Sequence, residues 1–169
     1  MDLAAQAVQI LRDHGLTAAV AESCTGGLLA AAFTDIPGSS QVFHGGVVTY
    51  SNAMKQRLLQ VPREILEENG AVSRETAAAM LKGLFALSRA DICLSVTGVA
   101  GPGPSGPDGR SGSKPQGLVY TGILYQGRIT VVERRFDGGR QAVRRAAVEQ
   151  ALRLLLQAVA GEGEKDGQA

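Results

Sequence analysis

The chain has no tryptophan, and aromatic residues make up only 4% of its 169 positions. Its core must therefore be assembled from Ala, Val, Leu and Ile. The base-stacking platforms of single-stranded nucleic-acid binders have little material to be built from. Cysteine is nearly missing as well. Cys24 and Cys93 are the only two, which excludes a disulfide framework and a cysteine zinc site. The two histidines, His14 and His44, stand in no ligand spacing, so no metal and no cofactor are expected. No apolar run approaches the roughly 18–20 residues of a membrane span. The opening MDLAAQAVQILRDHG mixes charges into a helical pattern, unlike the basic head and apolar middle of a signal peptide. A net charge of +1 leaves no overall field for a polyanionic partner. These absences point to a cytoplasmic protein that engages neither nucleic acid nor membrane.

What is present is an ordinary 44% of apolar residues, enough for one domain with a sizeable core. The basic charge is unevenly spread. Arg128, Arg134, Arg135, Arg140, Arg144, Arg145 and Arg153 crowd one segment against Glu133, Asp137 and Glu149. Such a local excess suits a small anionic ligand better than a nucleic-acid track.

Periodicity and punctuation divide the chain into elements. A helix is expected over 2–14, ended by Gly15, and a short buried strand over Thr17–Ala21. The turn Glu22-Ser23-Cys24-Thr25-Gly26-Gly27 leads into a helix from Leu28 to about Thr34. Val42 to Tyr50 reads as a strand, with Gly45-Gly46 marking a bulge or a close backbone approach. Ser51 or Asn52 caps a helix to about Leu59, Pro62 starts a short helix ended by Asn69-Gly70, and Ser73 caps a longer one over Arg74–Ser88. Asp91–Thr97 is a buried strand. It empties into a Gly- and Pro-rich loop reaching Gly117, too long for an ordinary connection. Leu118–Tyr125, a Gln126-Gly127 turn and Arg128–Phe136 form a hairpin. A last helix runs from Arg140 to about Ala160. The expected fold is a single α/β/α three-layer domain over 1–160, with a mixed, mostly parallel sheet and a C-terminal antiparallel hairpin. Residues 161–169 form a polar, disordered tail.

Ligands of such sheets gather outside the carboxyl ends of strands, and the exits after Ala21, Tyr50 and Thr97 carry the polar residues. The Glu22–Gly27 turn, opening onto a helix N-terminus, is a candidate anion cradle. Ser40, Tyr50 and Lys55 form a possible nucleophile, relay and base. Lysine takes a proton from serine only if its surroundings depress its pKa. By spacing alone, a capped loop, a strand-end tyrosine and a surface lysine account for the same residues. A dehydrogenase reading ranks low: Tyr50 and Lys55 are five apart, and no G-x-G-x-x-G follows the first strand. Arg140 and Arg144, one turn apart, suit a phosphate.

Seven co-linear strings carry a resemblance. They are Ala21-Glu-Ser-Cys-Thr-Gly-Gly27, Pro37-Gly-Ser-Ser40, Val48-Thr-Tyr-Ser-Asn52 with Lys55, and Gly70-Ala-Val-Ser73. Ser95-Val-Thr-Gly-Val-Ala-Gly-Pro102, Lys114-Pro-Gln-Gly117 and Gly139-Arg140 with Val143-Arg144 complete the set. Over about residues 5–158 the chain resembles the carboxyl-terminal domain of CinA, the competence/damage-inducible protein family. That family includes nicotinamide-nucleotide amidases, which convert nicotinamide mononucleotide to nicotinic acid mononucleotide and ammonia. The resemblance implies Ser40 as nucleophile, with Ser39 beside it as the alternative, and Tyr50 with Lys55 as activating partners. It also implies that Glu22, Ser23, Thr25, Gly26, Ser39, Thr97, Gly98 and Ala100 line the substrate pocket, with Arg140 and Arg144 at the phosphate. A non-catalytic nucleotide-binding module of the same family is the alternative. The partner expected is the small nucleotide, and a homo-oligomer is expected. Two departures stand out: the stretch from Gly101 to Lys114 is longer than the family's usual form, and Val99 stands where isoleucine is usual. The family's amino-terminal pyrophosphatase domain lies outside this sequence, and its activity is not carried over.

Overall fold

The computed structural model describes residues 2–102 and 114–163. Its elements follow the sequence closely: α1 (Leu3–Asp13), β1 (Ala18–Glu22), α2 (Leu28–Thr34), a single 3-10 turn at Ser39–Gln41, and β2 (Phe43–Val48). Then come α3 (Asn52–Leu59), α4 (Arg63–Asn69), α5 (Arg74–Ser88), β3 (Ile92–Gly98), β4 (Leu118–Tyr125), β5 (Arg128–Arg135) and α6 (Arg140–Gly163). Caps explain several boundaries. The Ser51 hydroxyl accepts from the Met54 amide at the start of α3, and that of Ser73 accepts from the Thr76 amide at the start of α5. The last helix continues three residues past Ala160, into the stretch expected to be a tail. The centre of the long Gly/Pro loop, 103–113, and the expected tail beyond 163 lie outside the described residues.

The five strands pair in the order β2-β1-β3-β4-β5. β1 is parallel to β2 and to β3, whereas β4 is antiparallel to both β3 and β5. Only β4 therefore runs against the common direction, which is the mixed, mostly parallel sheet expected. Flanked by β2 and β3, β1 is buried at all five positions, as a strand covered on both faces must be.

One face of the sheet packs Val20, Leu94 and Val119 against α1, α2 and α6, through Leu11, Leu29, Phe33 and Leu155. The opposite face packs Ala19, Ala21 and Cys93 against Leu59, Leu66, Met80, Leu81 and Leu84 of α3, α4 and α5. Almost all of this is aliphatic, with about 1.5–3 kcal/mol gained per large side chain fully buried. Phe33 and Phe43, stacked with ring centroids 4.9 Å apart, are the exception.

Two glycines set the helices close enough to matter for the site. A Cβ on Gly46 would stand 2.7 Å from Cγ2 of Val20 and 3.1 Å from the Ala30 Cβ, so α2 lies directly on β2. The pairing slips beside it, with Ala18 opposite Phe43 and Ala19 opposite Gly45, so the bulge and the close approach both occur. A Cβ on Gly83 would meet the Leu59 carbonyl oxygen at 1.8 Å. That contact presses the end of α3 onto α5 and fixes the helix that carries Lys55.

Candidate active site

Because β1, β2 and β3 are parallel, their carboxyl ends share one edge of the sheet. The exits at Ser23, Thr49 and Gly98 open there. Lys55, in the first turn of α3, is fully buried. Its Nζ donates to the Ser23 Oγ at 3.0 Å and to the Thr49 carbonyl at 2.6 Å. Among the described residues no carboxylate pairs with it. Burial lowers its pKa to about 8, against a smaller opposing effect of Cys24. Roughly a tenth of such a lysine is neutral at pH 7, compared with roughly one in three thousand for an ordinary one. An amine of this kind can accept a proton.

Ser23 follows β1 at the strand-to-helix turn and is 7% exposed. A hydroxyl within reach of both a low-pKa amine and solvent is a usable nucleophile. The neighbouring Cys24 is no rival, since burial pushes its thiol up to about 11. Sequence reasoning had assigned Ser23 only to the pocket lining. The signal available was its position at a sharp turn between a buried strand and a helix, where a side chain is lifted clear of the sheet.

Ser40 and Ser39, expected at the nucleophile position, lie elsewhere. Both belong to the 3-10 turn that precedes β2, where the Val42 amide donates to the Ser39 carbonyl and the Ala18 amide to the Val42 carbonyl. Arg12 of α1 reaches the Gly38 carbonyl at 3.3 Å. These contacts belong to the amino ends of β1 and β2. The length of β2 at roughly 3.3 Å per residue, about 20 Å in all, separates them from Lys55. Neither serine meets the amine.

Tyr50 joins the site at its rim rather than as a relay. It is 62% exposed, and its hydroxyl accepts from Nη2 of Arg140 at 3.0 Å. Arg140 opens α6 and lies across the β3 exit, where a Cβ on Gly101 would be 3.0 Å from Nη1. This guanidinium is exposed and available to an anion.

The anion cradle expected at α2 is already occupied from within. Glu22 is fully buried. Its Oε2 accepts from the amides of Gly27 (3.1 Å) and Leu29 (3.0 Å), and its Oε1 from that of Ala30 (2.8 Å). A carboxylate so placed satisfies the orphan N–H groups of the helix start and complements its dipole. It steadies the turn and leaves no cradle there for a second anion.

Several other expected contacts are spent within the fold. Arg144 donates from Nε to the Cys24 carbonyl at 3.1 Å and from Nη2 to the Thr25 carbonyl at 2.9 Å. Thr97 donates to the Ala71 carbonyl at 2.7 Å. Gly98 is pressed against β4, and Ala100 is packed in the core. Lys114, which had only figured in a motif, grips the carbonyls of Asn69 and Val72 and so braces the loop that holds Thr97. Gly26 stays exposed at the turn. Thr25 Oγ1, Thr49 Oγ1 and Asn52 Oδ1 are buried with no hydrogen-bond partner. All three lie on the segments that bring in Ser23 and Lys55, and orphans of this kind call for an explanation. Among the described residues no cluster could hold a metal, and no helix is long and apolar enough to cross a membrane.

A family model described as the CinA C-terminal domain matches residues 1–159. The CinA-like protein of Geobacter sulfurreducens is 46% identical over 144 residues, covering 85% of this chain and 34% of that protein. The chain thus spans about a third of the length of the curated relatives it matches. The competence/damage inducible protein CihA from Agrobacterium tumefaciens has a similar crystal structure. It is 42% identical with a TM-score of 0.85, and the match covers 94% of this chain and 93% of that one. A CinA superfamily protein from Klebsiella pneumoniae gives a TM-score of 0.87 at 34% identity, covering 94% and 96%.

Proposed function

The chain belongs to the CinA C-terminal domain family, and from that premise and the site's geometry we propose that it is a serine amidase that deamidates nicotinamide mononucleotide. The observation that carries this reading is the 3.0 Å contact between the Ser23 Oγ and the buried Lys55 Nζ. Neutral Lys55 takes the Ser23 proton as Oγ attacks the carboxamide carbon. The tetrahedral intermediate collapses by breaking the C–N bond. Lys55 returns the proton to the departing nitrogen, and ammonia leaves. A nicotinoyl ester remains on Ser23. Water, deprotonated by Lys55, then cleaves the ester to give the carboxylate and restore the serine. The Thr49 carbonyl keeps the amine aimed in both half-reactions.

Arg140 is the phosphate anchor in this reading, held at the rim by Tyr50 and free to form charge-assisted bonds. The unpartnered polar atoms of Thr25, Thr49 and Asn52 support a polar occupant at the two strand exits. The test is ammonia release from nicotinamide mononucleotide in the presence of a chelator. Activity that survives chelation and disappears in Ser23→Ala is the expected result. No ammonia from the wild type, with the nucleotide still bound in calorimetry, would replace the amidase by a nucleotide-binding module.

A further inference from the structure

Arg140 and Arg144 are one helical turn apart on α6, yet they do different things. Arg140 faces outward to the Tyr50 hydroxyl, whereas Arg144 spends two donors on the backbone of the turn that carries Ser23. Its neighbours Val143 and Ala147 are fully buried, so the helix cannot slide without emptying the core.

The accounting of that turn is nearly closed. The Ser23 amide donates to the Val96 carbonyl, that of Gly26 to the Ser23 carbonyl and that of Leu28 to the Thr25 carbonyl, and that of Gly27 to Glu22. The amides of Cys24 and Thr25 donate to no other residue among the described ones. Thr25 is fully buried, while Cys24 is 6% exposed beside the 7% exposed Ser23. The Cys24 N–H, which meets no acceptor on another described residue, is therefore the donor next to the accessible nucleophile. A peptide plane is rigid, so pinning a carbonyl fixes the direction of the N–H of the residue that follows it. The Ser23 carbonyl is held by the Gly26 amide, and those of Cys24 and Thr25 are held by Arg144.

We propose that Arg144 is a positioning residue: its grip on the Thr25 carbonyl fixes the peptide plane that carries the Gly26 N–H, this N–H holds the Ser23 carbonyl, and the plane of that carbonyl aims the Cys24 N–H towards the oxygen that becomes negative when Ser23 attacks a carbonyl. The inference rests on the amidase reading for its substrate but not for its geometry. Oxyanion donors act in the transition state and are worth about 10²–10³ in rate. A phosphate contact, the role the sequence suggested for Arg144, would act mainly through KM.

The test compares wild type, Arg144→Ala and Arg144→Lys in two assays. The first measures kcat and KM for nicotinamide mononucleotide and for the nucleoside lacking the phosphate. The second follows the rate at which a fluorophosphonate adds to the Ser23 Oγ with loss of fluoride, read by intact mass. In Arg144→Ala, kcat is expected to fall about 10²-fold for both substrates with KM nearly unchanged, and labelling to slow by a similar factor. Arg144→Lys, which keeps the charge but lacks the fork, is expected to recover only part of the loss, and it carries the test if the alanine variant does not fold. Labelling at the wild-type rate, or a loss confined to KM for the phosphate-bearing substrate, would overturn the proposal. A wild type that labels at Ser23 but turns over neither substrate would end the amidase reading. The labelling rates alone would then decide the role of Arg144.

Discussion

The two ends of the sheet carry two serine-bearing loops of similar outward character and opposite fate. At the amino ends of β1 and β2, the Gly38-Ser39-Ser40 turn is held by Arg12 and by its own backbone, and no base among the described residues is bonded to it. At the carboxyl ends, Ser23 meets a buried lysine that arrives from 32 residues further along the chain. The first loop resembles an active-site loop in composition, and the second has the environment of one. A hydroxyl becomes a nucleophile through what surrounds it. In a parallel sheet that neighbourhood is set by which ends of the strands coincide.

The sharpest way to break this comparison is to remove each serine in turn. Ser23→Ala is expected to reduce ammonia release by about 10⁴-fold or more, while Ser40→Ala stays within about twofold of wild type. The reverse ranking in the same assay would restore the other end of the sheet.

Lys55 sharpens the comparison through pH. If Lys55 is the base proposed above, the log of kcat/KM should rise with pH and level off near 8, where the amine becomes neutral. Lys55→Met should abolish that limb along with about 10²–10⁴-fold of the rate. Its effect on stability has the opposite sign. The folded-state pKa of about 8 lies below the ordinary 10.5, so between those values the unfolded chain binds more protons and stability rises with pH. Burying the charged form costs the fold at neutral pH. Lys55→Met should therefore stabilise it there by about 1–3 kcal/mol and remove the slope between pH 8 and 10.5, both measurable by urea unfolding. A methionine variant less stable than wild type at pH 7 would contradict the burial argument.

Glu22→Gln tests why the second turn is rigid. Replacing one acceptor oxygen by an NH₂ leaves amides at the start of α2 facing a donor. A loss of about 2–3 kcal/mol in urea unfolding is expected. The smallest effect belongs to the rim. Arg140→Ala should raise KM for the mononucleotide roughly tenfold with kcat nearly kept, because a phosphate grip far from the reacting carbon is largely uniform binding. A fall in kcat at constant KM would show that Arg140 acts on the reacting centre instead.

Much of the architecture was legible from residues alone. α2 and α5 begin and end where the apolar periodicity and the Ser73 cap indicated. The Gly45-Gly46 pair marks both the slip in pairing and the close approach of α2. The 3-10 turn at Ser39–Gln41 was not foreseen, since three polar residues after a Pro-Gly pair carry no periodicity. Within the site, type and spacing make Lys55 and Arg140 candidates, and the family resemblance singles them out. The Ser23–Lys55 contact is not legible in the sequence because Ser40 lies nearer to Lys55 along the chain, and the Tyr50–Arg140 contact is not because a phenol between a hydroxyl and an amine looks like a relay. Nothing local in the sequence shows that the Glu22 carboxylate turns back onto the helix it precedes.

By itself, the order of residues determined the elements, the mixed sheet and the family. It also located the three strand exits that carry the polar residues, because periodicity, caps and turn residues act over a few positions at a time. Only the tertiary structure decided which serine meets the amine and how acidic that amine is. Both depend on long-range placement: β1 and β2 must run parallel for Ser23 and Lys55 to share an edge. The contact of α3 with α5 at Gly83 must hold Lys55 out of water for its pKa to fall.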